Sequence, residues 1–222
     1  MENHVLLLKI HQITQVLYKS EFRPYIDLRY NPPIPFRGEG EIKLIVLGQD
    51  PTVREPIYRN KIKVTLLLDR PGKIRTYLES ICVSIGISLE KNIYATNLLK
   101  NFFTQPPDQI RKVKPEFIRR VAQYWLPLLI EEIVEFKNVP ILTLGEPVLN
   151  CLTKTSDPIL IRNLWGYEGL AMYGREFHYL PANDNVLDRI VFPFPHVHGI
   201  EHKFYRVQMR DYLDYMKKVI HL

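Results

Sequence analysis

The tetrapeptide Gly48-Gln49-Asp50-Pro51 follows directly on the mostly apolar run 42–47 and puts a carboxylate where a buried strand would open into a loop. Asp50 offers a base, or a negative charge beside a developing cation, and Gln49 offers a donor and an acceptor. Gly48 permits a tight backbone path and Pro51 stiffens the exit of the turn. A second carboxamide, Asn97, closes the run 92–97 and can donate and accept at once. Two imidazoles, His196 and His198, follow Pro193-Phe194-Pro195 and flank Val197. A neutral imidazole N–H aimed at a developing oxyanion needs no charge to be effective. Taken singly, each of these residues is also what an ordinary turn or cap uses. Together they offer a carboxylate, two carboxamides and two imidazoles that a single polar site could use.

The surrounding pattern supplies elements to position them. Leu6, Ile10, Ile13 and Leu17 recur at helical spacing, so an amphipathic helix is expected within the N-terminal segment 1–36, leading into a proline-rich connector at 32–36. Residues 42–47 read as the first core strand, and 63–68 as a second extended run that closes at Asp69-Arg70-Pro71-Gly72. Leu78, Ile81 and Ile85 before Gly86 predict a helix; 92–97 predicts a strand. A long amphipathic helix follows Pro115, with Pro127 expected to kink or restart it. Residues 139–145 and 188–193 are the remaining strand candidates. The final helix, from about His202, is expected to bury Tyr205, Met209, Tyr212, Met216 and Val219. Alternating strands and helices of this kind predict an α/β fold, a single three-layer α/β/α domain over 1–222 with a mostly parallel sheet. Strand ends of such a sheet converge on one rim, so Asp50, Asn97 and the histidine loop are expected to share a pocket.

The chain has 222 residues, 46% of them hydrophobic, with 30 Lys and Arg against 24 Asp and Glu, a formal charge of +6. That basic excess is compatible with a polyanionic partner. The two cysteines, Cys82 and Cys151, are too few for a cysteine-held iron–sulfur cluster and form no C-x-x-C pattern, so no metal or cofactor is expected. The apolar stretch 5–8 is too short for a signal-peptide core, and no segment has the length of a membrane span. A reduced cytoplasmic protein without membrane association, monomeric and nucleoid-associated if bacterial, is the expectation.

These motifs, in this order and spacing, resemble those of the uracil-DNA glycosylase superfamily over about residues 40 to 200. Gly48-Gln49-Asp50-Pro51 looks like that family's water-activating motif. Asn97 matches its base-reading asparagine. Pro193-Phe194-Pro195 and the loop after it look like its His-Pro-Ser-Pro intercalating motif. The stretch 124–133 with 141–145 is similar to the helix and strand between these motifs in the bacterial iron–sulfur branch, here without that branch's cysteines. The chain departs from the family at several positions. Thr52 and Val53 stand where the uracil-selective branch has Tyr-His. Phe192 and Phe194 stand where the last motif has its histidine and serine, and His196 stands where it has its intercalating leucine. Val64-Thr65-Leu66 lies near the place of the family's base-stacking phenylalanine, while Phe102 and Phe103 lie beyond Asn97.

The resemblance implies a metal-independent glycosylase that flips a uracil or related deaminated base out of single- or double-stranded DNA and hydrolyses its N-glycosidic bond. Asp50 would serve the water and the sugar cation, with His196 or His198 as donor to the leaving base. Gln49, Pro51 and Asn97 would hold the base. Val197 would enter the DNA, with Lys203, Arg206 and Arg210 on phosphates. Phe192 in the histidine's place keeps open a catalytically silent protein of the same fold that grips nucleic acid or a base. A hydrolase of free nucleosides or nucleotides is a third possibility.

Overall fold

A computed structural model describes residues 1–167 and 176–220. In chain order the elements are α1 (Asn3–Tyr18), β1 (Phe36–Arg37), β2 (Leu44–Gly48), α2 (Lys73–Ser84), α3 (Leu89–Asn92), β3 (Ile93–Asn97) and α4 (Pro107–Arg111), then α5 (Phe117–Ile133), β4 (Ile141–Leu144), α6 (Glu146–Leu152), α7 (Ile161–Leu164), β5 (Val191–Phe194) and α8 (Lys203–Ile220). They form an α/β fold in which helices flank a five-stranded, mostly parallel mixed sheet of order β1-β3-β2-β4-β5. Only β1 runs antiparallel, against β3. Strands β2 to β5 are buried along their whole length, which is why β2, β4 and β5 are mostly Val, Ile, Leu and Phe without alternation; β3, Ile-Tyr-Ala-Thr-Asn, is buried too but ends in polar residues. No helix among the described residues is long and apolar enough to cross a membrane.

Register levels the strand ends. Gly48 lies opposite Asn97 on the last rung of β2 and β3, and Leu144 lies opposite Phe194 on β4 and β5. With β2 central, one successor strand, β3, lies on one side of it and the next, β4, on the other. In an open α/β sheet such a switch opens a crevice at the carboxyl ends.

The expected helices at 73–84, 117–133 and 203–220 are present, and Gly86 ends the first of them at φ 80°. The N-terminal helix stops at Tyr18, well short of residue 36. Helix α5 runs on through Pro127 without restarting: Pro127 and Gln123, whose carbonyl loses its partner, both face solvent, where water serves the freed group. Residues 63–68 are no strand. Val64 makes a single bridge to Ile34, and the chain then folds into a 3₁₀ turn at Thr65–Leu67 with Leu66 and Leu67 at positive φ. Strand-favouring residues here wall a cleft instead of extending the sheet. The last strand starts later than expected because Asp188, at φ 49°, turns the chain before it. The buried face of α8 is rotated toward Phe204, Gln208, Tyr212, Leu213 and Met216, leaving Tyr205, Met209 and Val219 at its margin. Trp165 stacks on Tyr212 at 4.2 Å and centres that face.

One buried polar network ties β3 to α5. The Lys100 amine donates to Thr96 Oγ1 at 2.8 Å and to the Asn97 carbonyl at 3.0 Å, and it pairs with Glu132, which accepts from the Tyr94 hydroxyl at 2.8 Å. Both ionic side chains are almost wholly excluded from solvent. Removing one partner strands the other charge, so Lys100→Met is expected to cost ~3–5 kcal/mol of unfolding free energy in urea titrations. Adding Glu132→Leu should recover most of that loss.

Candidate active site

The site begins where β2 runs out. A Cβ at Gly48 would sit 2.5 Å from Asn97 Oδ1 and 2.8 Å from Leu66 Cδ2, so only glycine fits. The chain beyond is stitched to the end of β3: Leu98 N donates to the Gly48 carbonyl and Leu99 N to the Gln49 carbonyl, each at 2.8 Å. This brings Asp50 to the floor of a cleft of about 800 Å³ at the carboxyl rim of the sheet. Each Asp50 oxygen takes one donor, Oδ1 from Gln49 Nε2 at 2.9 Å and Oδ2 from Thr52 N at 2.8 Å. Burial outweighs those donors and pushes the Asp50 carboxyl up to about 6.

The loop after Asp50 is held from behind. Thr52 Oγ1 accepts from Phe103 N at 2.9 Å. The fully buried Arg59 donates to the Val53 carbonyl at 3.2 Å, to the Phe103 carbonyl at 2.7 Å and to Asp27 Oδ2 at 3.0 Å. Burial works to raise the Asp27 carboxyl, but hydrogen bonds from Arg29 and the charges of Arg29 and Arg59 bring it below the usual range.

The facing wall comes from β4 and β5. Gly145, whose φ of 97° favours glycine, donates to the Phe194 carbonyl at 2.8 Å and lies beside His196. The segment before His196 is clamped, with Trp165 Nε1 on the Pro193 carbonyl at 2.7 Å and the Tyr77 hydroxyl on the Pro195 carbonyl at 3.2 Å. His196 and His198 both line the cleft, their rings 5.4 Å apart. Partial burial, and then the neighbouring His198, lower the pKa of His196 and favour its neutral form.

Of the residues singled out in the sequence, Gln49, Asp50, Pro51, His196 and His198 therefore share one cleft. Asn97 does not. It is 3% exposed, lies close to Gly48 and Leu66, and its Oδ1 has no hydrogen-bond partner among the described residues. The expected common pocket is thus not formed: Leu66 lines the cleft beside Gly48, and Asn97 instead borders a separate small pocket with Thr65, Thr96 and Lys100. Phe192 and Phe194 are fully buried in β5, Phe192 opposite Leu142 inside the sheet and Phe194 on its last rung. Val197 packs partly on the core and does not stand clear as a wedge. Lys203, Arg206 and Arg210 are exposed on α8, and none pairs with an acid among the described residues.

Sequence reasoning missed several participants. Arg54 and Asp108 bring opposite charges to the cleft wall, and Ile62, Leu67 and Ile74 give it an apolar side. Asp108 had one signal, its place just after Pro106-Pro107 where a helix opens. Arg59 had none, since an arginine in a polar loop reads as exposed. Among the described residues no group of three or more His, Cys, Asp or Glu side chains is arranged to hold a metal ion. Both cysteines are free and buried, which pushes each thiol up to about 12. No family model matches the chain, and no curated protein matches it.

The raised Asp50 carboxyl has a cost in stability with a definite sign. Between the unfolded value of 3.8 and the folded value of about 6, the folded protein holds a proton that the unfolded chain releases. Stability from this group is therefore fullest below that window and declines as pH rises through it. Asp50→Asn mimics the protonated form, so at pH 8 it should unfold with ~1–2 kcal/mol more free energy than the unaltered protein. Denaturant titrations near pH 4 should show that gain gone.

Proposed function

We propose that the chain is a metal-independent DNA glycosylase that hydrolyses the N-glycosidic bond of uracil or a related deaminated base, as in base excision repair. The observation that carries this reading is Asp50: a carboxylate with both oxygens held and its pKa raised to about 6, facing two histidines across one cleft. Its neighbours in sequence, Gly48, Gln49 and Pro51, are those of the water-activating motif of uracil-DNA glycosylases, and the five-stranded sheet accommodates a three-layer α/β/α domain of that type over 1–222. The segment 1–36 would pack on that domain's core.

In this reading the base is flipped into the cleft. Water, positioned by the Asp50 carboxylate, adds its oxygen to C1′ as the bond to the base nitrogen breaks and the electron pair leaves with the base. The same carboxylate stabilises the cationic sugar. One of the water's protons stays on the new C1′ hydroxyl, and the other is taken up by Asp50 and passes to the departing base, which ends neutral. Backbone N–H groups at Gln49 and Asp50 and the neutral imidazole of His196 or His198 would face the charge gathering on the base oxygens. Thr52 in the place of a tyrosine leaves room for 5-substituted or larger bases. The exposed cations Lys203, Arg206 and Arg210 would lie along phosphates.

A second reading, a silent binder of DNA or bases, is favoured by one observation. The position aligned with the family's histidine is Phe192, buried inside the sheet.

Single-turnover base release from uracil-containing oligonucleotides, read by alkaline cleavage, decides between them. Asp50→Asn should slow release by about a hundredfold or more while DNA binding persists. The wild-type rate should fall as pH drops through about 6, where Asp50 takes up its proton. His196→Ala and His198→Ala should differ sharply, since only one imidazole is needed as donor. A folded wild-type protein that binds DNA and releases no base from uracil, 5-hydroxymethyluracil or hypoxanthine substrates is the silent binder.

The face of α8 gives a separate expectation. Arg206→Ala and Arg210→Ala should each weaken DNA binding irrespective of sequence and reduce the slope of log K against log salt by about one. Unchanged affinity and slope in fluorescence anisotropy would leave that face merely solvated.

A further inference from the structure

Two unfavourable features meet at one point of the cleft wall. Leu66 and Leu67 are consecutive residues at φ 58° and 55°, a backbone region that branched side chains rarely hold. Directly behind them Asn97, 3% exposed, carries an Oδ1 with no hydrogen-bond partner among the described residues. Gly48 shows how close the two are: a Cβ there would meet Asn97 Oδ1 at 2.5 Å and Leu66 Cδ2 at 2.8 Å. Gly48, Leu66 and Leu67 line the cleft and Asn97 does not. The turn is anchored at both ends. Thr65 donates twice to the Ile34 carbonyl, from N at 2.9 Å and from Oγ1 at 3.1 Å, and Leu68 is fully buried. Only the two left-handed leucines between those anchors are left to change.

We propose that Leu66 is the gate and specificity-determining side chain of a covered subsite in front of Asn97, which takes a planar heterocycle presenting an N–H beside a carbonyl. This rests on the reading of the cleft as a base-binding site. As the ring enters, Leu66 leaves Gly48, the two leucines return to negative φ, and Asn97 Oδ1 accepts the N–H of the ring. One motion thus releases the strained turn and satisfies the buried acceptor. A ring without that N–H gains only the first of these and binds less well. The closed form is held by the packing of the Leu66 side chain against Gly48, so shortening that side chain favours opening. Leu67 acts in the opposite sense: a glycine there removes strain from the closed turn and makes opening harder.

The test uses the free bases uracil and 1,3-dimethyluracil as probes of the full chain by isothermal titration. Leu66→Ala should bind uracil about tenfold more tightly than wild type, and Leu67→Gly about fivefold more weakly, because each alters the fraction of open protein. Asn97→Ala should lose uracil binding in either background, and 1,3-dimethyluracil, which has no ring N–H, should bind wild type and both leucine variants far more weakly than uracil. In wild type, uracil should speed hydrogen exchange of the backbone at 66–68 while the rest of the cleft is protected. Leu66→Val is the companion variant if Leu66→Ala does not fold, with a smaller change in the same direction. Uracil binding that needs Asn97 but is indifferent to both leucines, with slowed exchange at 66–68, overturns the gate and leaves the base-binding reading intact. No binding by wild type or by a folded Leu66 variant overturns both.

Discussion

At the last rung of β2 and β3 there is room for a hydrogen atom and nothing larger. The parallel register sets Gly48 level with Asn97, and the turn at 65–67 brings Leu66 onto the same spot. With no side chain at 48, the two strand ends stay in register to the rim and the chain beyond β2 is stitched to the chain beyond β3. That stitching is what carries Gln49 and Asp50 out of the sheet and onto the cleft floor. Any larger residue would push the Asn97 or Leu66 side chain aside.

The residues around the cleft are under more stress than the rest of the fold. Asp50 is a carboxyl held in surroundings that favour its neutral form, Asn97 keeps an unanswered acceptor, and two leucines sit in a left-handed turn. Local costs of this kind persist only where the surroundings over-determine them. Here the surroundings are two buried ion pairs, one on each side. Arg59 with Asp27 fixes the loop beyond Asp50 from below, and Lys100 with Glu132 fixes the carbonyl of Asn97. Buried pairs contribute little net stability, but their directional bonds hold segments in one geometry. One pair thus bonds to the chain just beyond Asp50 and the other to the backbone of Asn97, while neither makes a hydrogen bond to Leu66 or Leu67.

Much of this was legible in the sequence, for identifiable reasons. Central strands such as 44–48 and 141–144 are buried on both faces and therefore read as plain apolar runs, and the long helices carry apolar residues at a fixed period. The convergence of Asp50 with His196 and His198 followed from sheet topology alone. The run 63–68 misled because Val, Thr and Leu favour strands by packing, and the same side chains pack equally well as the wall of a cleft. The separation of Asn97 from the cleft was not legible, because it depends on a leucine two positive dihedrals out of the strand region, and no local pattern marks leucine for such a turn. Arg59 was hidden for the reverse reason. Its burial is decided by carbonyls at 53 and 103 and a carboxylate at 27, all remote in sequence or outside any motif.

The histidine loop shows how register decides between readings that motif alignment leaves equal. Matching Pro193 and Pro195 to a His-Pro-Ser-Pro motif puts the donor position at Phe192. In β5 that residue pairs with Leu142, two residues short of the last rung, which at ~3.3 Å per residue is more than 6 Å below the rim. The Phe192 side chain is surrounded by the core and packs on Tyr179, and it does not reach the cleft. The rim is crossed between Phe194 and Pro195, and the first polar side chains past it are His196 and His198. If this cleft holds a donor for a leaving group from β5, sheet register requires it to come from those two residues. The clamps of Trp165 and Tyr77 on the carbonyls of Pro193 and Pro195 then acquire a purpose, since they fix the direction in which the chain leaves the sheet and therefore where the imidazoles stand.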